Sequence, residues 1–346
     1  MKGTGNIQKR PDQMKKWAFI IWLASMAIIC LGQDPQFSRF YSNSLYMAPS
    51  FAGSTGDNRF ALNYRNQWPS IKTGFVTFTA SYDHYFNKLH SGTGILFLRD
   101  VAGSGNLTTT NISLLYNFDF KIRNTVHVRP GMSFTMTQRS IEFQRLIWRD
   151  QMSAIGNAPV SGEVIPLDNA ADLDFGVSAI AYSEDLWFGV CADHLLHPNQ
   201  SLYEQEYASD NQALLGTKVQ VFGGWRIVVK EQLLRPKPTT LQLTFLYKNQ
   251  NNYNQLDLGF YWNYEPLVLG IWYRGIPFFN EISNNDALVF LAGFKTRQYN
   301  IGYSYDFTTS RLIVSSGGSH EISFSYTFNQ PDKKRRPRKM VPCPEF

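Results

Sequence analysis

The stretch TTTNISLLYNFDF at residues 108–120 alternates between apolar and polar side chains. The apolar positions are Ile112, Leu114, Tyr116, Phe118 and Phe120. The residues between them, and Asn111 before them, are polar except for Leu115. Successive side chains of a β-strand point to opposite faces, so this period of two predicts a strand with one apolar and one polar face. TTLQLTFLYKN at 239–249 and YNQLDLGFYWN at 253–263 repeat the pattern.

Comparable alternation recurs along most of the chain and predicts about 14 strands in all. The other predicted strands cover residues 59–68, 74–86, 92–101, 124–138, 171–183, 186–195, 215–229, 266–275, 286–297, 298–308 and 318–329. Many of them have close to the roughly 9–11 residues with which a tilted strand crosses an outer membrane. No convincing amphipathic helix interrupts the series.

A soluble sandwich and a transmembrane barrel both use alternating strands, and the lengths of the connections distinguish them. The longest predicted connections are 139–170, 196–214 and 276–285. If both chain ends are periplasmic, all three face outward, and the turns on the other side are mostly short. This asymmetry is typical of membrane barrels, so we predict an all-β fold with a transmembrane antiparallel β-barrel over residues 59–330.

Aromatic residues favour the same fold, because such rings form girdles at the level of the lipid headgroups. Several aromatic residues mostly lie toward the ends of predicted strands: Trp68, Trp187, Trp225, Trp262, Trp272, Tyr82, Tyr85, Tyr116 and Tyr247.

Composition excludes several other classes of protein. Aromatic residues make up 15% of the 346 residues and charged residues only 17%, so the chain has ample apolar surface to bury and is not predicted to be disordered. No apolar run reaches the length of about 18 residues that a transmembrane helix requires. Residues 1–32 and 331–346 each carry a net charge of +4, which leaves −2 on the body of the chain. The basic total therefore gives no support for nucleic-acid binding by that body.

The N-terminal region predicts export. Residues 1–16 are polar and basic, WAFIIWLASMAIICL at 17–31 is largely apolar, and small residues precede a cleavage site before Gln33. We therefore predict a signal peptide over residues 1–32 and a location in a bacterial outer membrane. The alternative is a retained membrane anchor, but the apolar run is short for one.

Residues 33–58 form a long polar lead-in before the first predicted strand. Pro35 and Pro49 favour extended or turn backbone, and Gly53 and Gly56 permit tight turns. We expect this N-terminal segment to fold into the barrel lumen as a plug or to cap the periplasmic mouth. A loosely ordered leader is the alternative.

The same region resembles a known family. QDPQFSRFYSNSLYMAPSFAG at 33–53 and NYRNQWPS at 63–70 are similar to the mature N-terminus and first strand of the PorP/SprF outer-membrane proteins of the Bacteroidetes type IX secretion system. The family motif matches at Gln33, Asp34, Pro35, Ser38, Ala52, Gly53, Arg65, Gln67 and Trp68. The sequence departs from the family's usual NPL and NPA forms at 43–45 and 47–49, where it reads NSL and MAP.

This resemblance implies a barrel that serves protein secretion or gliding motility rather than metabolite transport. The implied partners are periplasmic components of the secretion machine, including peptidoglycan-associated ones, or a secreted adhesin held at the cell surface. The resemblance does not choose between these two branches. A diffusion channel for small solutes is the competing function, because about fourteen strands can enclose a lumen.

Catalytic and metal-binding patterns were sought in the body of the chain. The six histidines are scattered and have no recognisable nucleophile motif around them. An acidic group lacks the spacing of a calcium loop and is expected to be solvated: Asp150, Glu163, Asp168, Asp172 and Asp174. We therefore predict no catalytic site, no cofactor and no metal.

Two regions are candidates for binding partner proteins. The predicted outer loop 139–170 combines apolar and basic residues in the way of interface anchors, with Phe143, Arg145, Trp148 and Arg149 as the predicted contacts. The alternative is that its apolar residues pack down as a lid inside the barrel. The basic tail 331–346 is predicted to lie in the periplasm and to dock on an acidic partner, and a solvated end is the alternative. The predicted tail contacts are Lys333, Lys334, Arg335 and Arg336.

Overall fold

The structure is a computed structural model that describes most of the chain from Asp34 onwards. The described residues are 34–71, 74–122, 125–146, 152–153, 156–157, 169–202, 214–230, 239–251, 253–276, 284–309, 317–328 and 341–342. The predicted signal peptide lies outside them, as does the tail except for Val341 and Pro342. Within the described residues, no helix is long and apolar enough to cross a membrane.

Fourteen long strands dominate the fold, and each of the fourteen predicted segments overlaps one of them. The strands are β1 (Asn58–Gln67), β2 (Phe75–Phe86), β3 (Ser91–Ala102), β4 (Leu107–Phe118), β5 (His127–Ser140), β6 (Asn169–Tyr182), β7 (Leu186–Asp193), β8 (Lys218–Lys230), β9 (Thr239–Gln250), β10 (Tyr253–Tyr264), β11 (Leu267–Ile276), β12 (Asn284–Lys295), β13 (Tyr299–Thr308) and β14 (Ser319–Phe328).

Short elements complete the described fold. They are a one-turn helix α1 (Ser44–Met47), 3₁₀ turns at Pro49–Phe51 and Phe143–Arg145, and two-residue strands at Phe120–Lys121, Met152–Ser153 and Gly156–Asn157.

The fourteen strands form a closed antiparallel barrel. Each strand pairs with its neighbours in sequence, and β1 pairs with β14 from Asn58 opposite Phe328 to Gln67 opposite Ser319. Closure pairs both edges of every wall strand, so the barrel has no free edge of the kind that promotes aggregation. The predicted fold class is confirmed.

The two faces of the wall have opposite character. In β4, the side chains of Ile112 and Leu114 are exposed on the outside, whereas Ser113 and Asn117 are buried in the lumen. The exception in the alternation, Leu115, also points inward, where it joins a buried apolar cluster. An apolar outer face around a polar interior is the arrangement of a transmembrane barrel, because the outer face meets lipid.

The connections divide between a long-loop mouth and a short-turn mouth. The long-loop mouth carries the connections 68–74, 103–106, 141–168, 194–217, 251–252, 277–283 and 309–318. The short-turn mouth carries 87–90, 119–126, 183–185, 231–238, 265–266 and 296–298. The three longest predicted connections leave from the same mouth, as the sequence predicts, and short turns are typical of the periplasmic side.

Three of the residues predicted for the aromatic girdle lie inside the barrel instead. Trp187, Trp272 and Tyr85 are 1%, 2% and 4% exposed. The rings of the two tryptophans lie across Gly224 and Gly259 of neighbouring strands, where a Cβ atom would be 2.3 Å and 2.2 Å from the indole carbons. The girdle prediction is wrong for these three residues because position near a strand end does not say which face a side chain occupies.

Candidate functional site

Residues 34–57, which we call the lumen segment, lie inside the barrel. Every residue from 37 to 55 is buried except Tyr46, which is partly buried. The hydrogen-bond partners of the segment come from wall strands around the whole barrel, namely β2, β4, β5, β6, β8, β9, β10, β11 and β14. A polar segment is stable here because the wall supplies partners for its main chain.

The lumen segment runs from one mouth to the other. At the long-loop mouth, the main-chain N–H of Asp34 donates to Gln250 Oε1 at the end of β9 (3.5 Å). Near the short-turn mouth, the N–H of Gly53 donates to Asp83 Oδ2 in β2 (2.7 Å). The segment then continues into Asn58, where β1 begins at the short-turn mouth.

The start of the segment is held by a group of charges that we call the mouth cluster. The Asp34 carboxylate lies 2.7 Å from Lys218 Nζ and 2.9 Å from His194 Nε2. The other ring nitrogen of His194 lies 2.6 Å from Asp174 Oδ2, and Lys218 also contacts Asp193 at 3.1 Å. The cluster therefore joins the segment to the ends of three strands.

The mouth cluster favours the charged forms of Asp34 and His194. Burial disfavours protonation of His194, but the carboxylates of Asp34 and Asp174 outweigh this effect and raise the pKa of His194 to about 9. Burial also raises the pKa of Asp34, but the positive charges of Lys218 and His194 outweigh it and hold that pKa well below its usual range.

A second group, the seam cluster, lies where β1 meets β14. Glu321 Oε2 accepts the N–H of Ser38 (2.7 Å), and Glu321 Oε1 accepts the N–H of Arg39 (3.3 Å). Arg65 donates to the Ser38 hydroxyl, pairs with Asp306 at 2.9 Å and lies 3.6 Å from Glu321. Two family-motif residues, Ser38 of the segment and Arg65 of the wall strand β1, thus bind each other.

Side chains of β4, β5 and β6 bind the main chain of the segment. Asn117 Nδ2 donates to the carbonyls of Pro49 (3.1 Å) and Ala52 (2.7 Å), and Arg129 also donates to the Ala52 carbonyl (2.7 Å). The N–H of Ser50 donates to the Ser178 hydroxyl at 2.9 Å. These contacts satisfy buried carbonyl and N–H groups that would otherwise be costly.

Two glycines in the wall allow this close approach. A Cβ atom at Gly92 would lie 2.0 Å from the Ala52 carbonyl oxygen, and one at Gly131 would lie 2.6 Å from the Ser50 nitrogen. Both contacts are with main-chain atoms, so a side chain at either position requires the segment to move.

Gly53 of the family motif has a conformational role. Its φ is +66°, in the left-handed region that glycine adopts without steric cost. This turn directs its N–H to Asp83, which pairs with Arg59 of β1 at 2.9 Å.

Aromatic contacts fill the lumen between these polar groups. The rings of Phe40 and Trp272 are 4.7 Å apart between centroids, and those of Tyr41 and Trp187 are 6.2 Å apart. Val341 of the C-terminal tail is buried in the same cluster, so this residue of the predicted tail is not solvated.

A sequence model of the type IX secretion system membrane protein PorP/SprF matches residues 29–326. The chain belongs to the PorP/SprF family. Its barrel and family membership make it an outer-membrane protein. The family motif now has a structural meaning in this PorP/SprF barrel, because Asp34, Ser38, Gly53 and Arg65 all join the lumen segment to the wall.

Solved structures of outer-membrane barrels are similar to this PorP/SprF protein at low sequence identity. Omp33 of Acinetobacter baumannii is 8% identical, with a TM-score of 0.44, and the match covers 79% of this chain and 98% of that one. The toluene transporter TodX of P. putida is 10% identical, with a TM-score of 0.44 and coverages of 84% and 94%. A FadL homologue of Pseudomonas aeruginosa is 11% identical, with a TM-score of 0.40 and coverages of 79% and 90%. A comparison with curated protein sequences finds no match.

A small cavity remains between the lumen segment and the wall of the PorP/SprF barrel. Its volume is about 60 Å³, and its lining includes Leu45 and Tyr46 of the segment and Leu98, Ser113 and Thr135 of the wall. A cavity needs about 10–15 Å³ to hold one water, and each water occupies about 30 Å³ in the liquid, so this cavity has room for only a few waters. A sugar or an amino acid does not fit.

The predicted partner-binding residues are only partly described. Phe143 is buried, whereas the Arg145 side chain is 59% exposed and pairs with Glu142 at 2.5 Å. Trp148 and Arg149 lie outside the described residues, as do the motif residue Gln33 and the tail residues Lys333, Lys334, Arg335 and Arg336.

Several residues of the PorP/SprF site escaped the sequence analysis. Asp174 was expected to be solvated, but it is 5% exposed and holds His194. Glu321 is fully buried and binds the segment, although the sequence shows it only as one polar position in an alternating strand. The available signal was that charged residues at lumen-facing positions of a barrel need partners there. Across the described ranges, no group of three His, Cys, Asp or Glu side chains is placed to hold a metal ion.

Proposed function

We propose that this PorP/SprF barrel is a non-enzymatic outer-membrane component of the type IX secretion and gliding system that works through protein contacts. It anchors or assembles periplasmic components of the machine, or it tethers a secreted adhesin at the cell surface. Family membership supports the link to the secretion machine.

The observation that carries the proposal is the occupied lumen. The lumen segment is buried along nearly its whole length and bonded to strands on all sides, and the cavity of about 60 Å³ beside Leu45 and Tyr46 has room for only a few waters. These features argue against a diffusion channel, which is the competing function. A barrel that does not pass solutes contributes through its surfaces.

Two surfaces are proposed for partner contacts. The first is the predicted outer loop 139–170, in which the exposed Arg145 is described and Trp148 and Arg149 are proposed contacts on sequence grounds alone. The second is the basic stretch Lys333–Arg336, which we propose docks on an acidic periplasmic partner. Because Val341 is buried in the lumen, the basic stretch precedes a residue that is fixed to the barrel.

A pull-down of the tagged protein from its native envelope in mild detergent, followed by mass spectrometry, tests the proposal. Recovery of periplasmic lipoproteins of the secretion machine supports the anchoring role, and recovery of a large secreted adhesin supports tethering. Recovery of the barrel alone contradicts a function through stable protein contacts.

Variants separate the two surfaces. Neutralising Lys333, Lys334, Arg335 and Arg336 with glutamine keeps Val341 in place, so it tests charge without removing a buried group. Substituting Trp148 and the exposed Arg145 tests the loop without removing the buried Phe143 side chain. Loss of the partner in one variant, with a barrel that still folds, assigns the contact to that surface, and full recovery in both removes these two surfaces from the proposal.

A further inference from the structure

The seam between β1 and β14 joins the first and last strands of the barrel. It closes the largest loop in the sheet, and the entropic cost of closing a loop rises with its length. Main-chain pairing alone does not select one register here. A shift of two residues keeps every side chain on its own face, so the division into apolar and polar faces does not exclude it.

The seam cluster distinguishes these registers. Arg65 and Glu321 are direct cross-strand partners, and both are buried on the lumen side. A shift of two residues would place Ser319 or Ser323 opposite Arg65. It would also move the Glu321 carboxylate by about 6.6 Å along the strand, since each residue of a strand advances about 3.3 Å.

The lumen segment contacts both strands of the seam at this point. The consecutive N–H groups of Ser38 and Arg39 donate to the two carboxylate oxygens of Glu321 in β14. The Ser38 hydroxyl accepts from Arg65 in β1, and Arg39 donates to the Ser323 hydroxyl in β14 at 2.5 Å. These bonds all require the native register.

We propose that Ser38 and Arg39 of the lumen segment set the register in which β14 closes on β1. The segment immediately precedes β1, so it is present beside that strand before β14 arrives. It then presents the main-chain N–H groups of Ser38 and Arg39, which the Glu321 carboxylate of β14 reaches in only one register. The lumen segment is therefore a template for barrel closure as well as an occupant of the lumen.

The barrel contains a matched site away from the seam. Asp83 in β2 accepts the N–H of Gly53 at 2.7 Å and pairs with Arg59 of β1, which is its direct cross-strand partner. The chemistry is the same as at Glu321. However, β1 and β2 are joined by the short connection 68–74, so their register does not need a template.

Engineered disulfides test the proposal in the full-length protein. Tyr64 and Ile322 are paired across the seam and exposed on the outer face, so Tyr64→Cys with Ile322→Cys reports the native register. Tyr64→Cys with Phe324→Cys reports a shift of two residues. Each cysteine pair is introduced into the parent protein, into Glu321→Gln and into Asp83→Asn. The yield of each disulfide is divided by the amount of folded, heat-modifiable barrel in the membrane.

We expect Glu321→Gln to lower the yield of the native disulfide by about tenfold, because it removes a charged acceptor of two main-chain N–H groups. Asp83→Asn is expected to stay within about twofold of the parent, because its strand pair is held by a hairpin. A parental yield in Glu321→Gln, or an equal loss in both variants, overturns the proposal.

If Glu321→Gln gives no barrel in the membrane, a substitution in the lumen segment of the full-length protein still tests the proposal. Arg39→Gln leaves the Glu321 carboxylate and Arg65 unchanged but removes the guanidinium that binds Ser323. We expect a partial loss of the native disulfide in this variant. An unchanged yield in Arg39→Gln contradicts a register role for that side chain. The two native cysteines of the mature chain are replaced in all samples, with Cys191→Ala and Cys343→Ser.

Discussion

Asp34 and Lys218 form a largely buried ion pair of 2.7 Å that fixes the start of the lumen segment to the long-loop mouth of the barrel. Lys218 begins β8, far from Asp34 in sequence, so the pair joins the lumen segment to the opposite half of the chain. Removing one partner of a buried pair leaves the other charge uncompensated, which typically costs about 3–5 kcal/mol.

Lys218→Met should therefore release the start of the lumen segment. His194 still faces Asp34, so we expect local loosening rather than loss of the barrel. Hydrogen exchange of the amides of Asp34, Gln36 and Phe37 should accelerate strongly. Exchange at Gly53 should change little, because its bond to Asp83 is distant. Equal acceleration at both ends of the segment would contradict a local role for the pair.

The mouth cluster should also respond to pH. The pKa of His194 is raised from about 6.5 to about 9, so its contribution to stability is fully present below pH 6.5. It is lost as the pH rises through about 9, because deprotonation removes the attraction to Asp34 and Asp174. The temperature at which heating unfolds the barrel and changes its electrophoretic migration should fall between pH 7 and pH 10. It should fall less in His194→Gln. Parallel curves for the two proteins would remove His194 as the cause.

Arg65 of the family motif should be among the most sensitive positions. It is 2% exposed and is a cationic partner of the buried carboxylates of Asp306 and Glu321. Arg65→Met removes this cation but leaves Asp306 paired with Arg274 at 3.1 Å, so we expect a cost of about 3 kcal/mol, at the lower end of the range for a broken buried pair. Arg226→Met is the matched control, because Arg226 and Asp185 are half-exposed and such pairs contribute about 0–1 kcal/mol. Urea unfolding in lipid vesicles measures both. Similar losses would argue against a special role for Arg65.

Gly92 should tolerate no side chain while the segment is in place. Gly92→Ala puts a methyl group 2.0 Å from the Ala52 carbonyl oxygen, so we expect the segment to shift and the barrel to lose stability. Gly105→Ala is the control, since its Cβ atom would meet only the flexible ends of Leu146 and Ile141 at 3.0 Å and 3.3 Å. Protease cleavage within 34–57 should appear in the first variant and stay absent in the second.

The wall of the barrel could be predicted from the sequence because its signal is local. Each strand carries its own alternation, as in Ile112 and Leu114 against Ser113 and Asn117. Every strand needs this division because one of its faces meets lipid and the other faces the lumen. The predicted ends of these strands also placed the three longest connections at one mouth of the barrel. Leu115, which breaks the pattern, is explained only by its contact with other apolar groups inside the lumen.

The lumen contacts could not be predicted because they join residues far apart in sequence. Nothing around Glu321 shows that it binds the amides of Ser38 and Arg39, and nothing around His194 shows that Asp34 reaches it. The girdle prediction fails at Trp187 and Trp272 because the face of each is set by its position in the alternation of its strand. The glycines opposite them, Gly224 and Gly259, leave room for the rings inside the barrel. The family resemblance marked Asp34, Ser38 and Arg65 without giving their partners.

We infer that the lumen segment blocks the barrel, so that the protein acts through its surfaces. The most direct test is the ion conductance of the purified, heat-modifiable, full-length protein in planar lipid bilayers. We predict no steady conductance above that of the bilayer, because the lumen segment is buried among the wall strands along nearly its whole length. A steady, ohmic conductance from the intact protein would contradict it and would favour a diffusion channel.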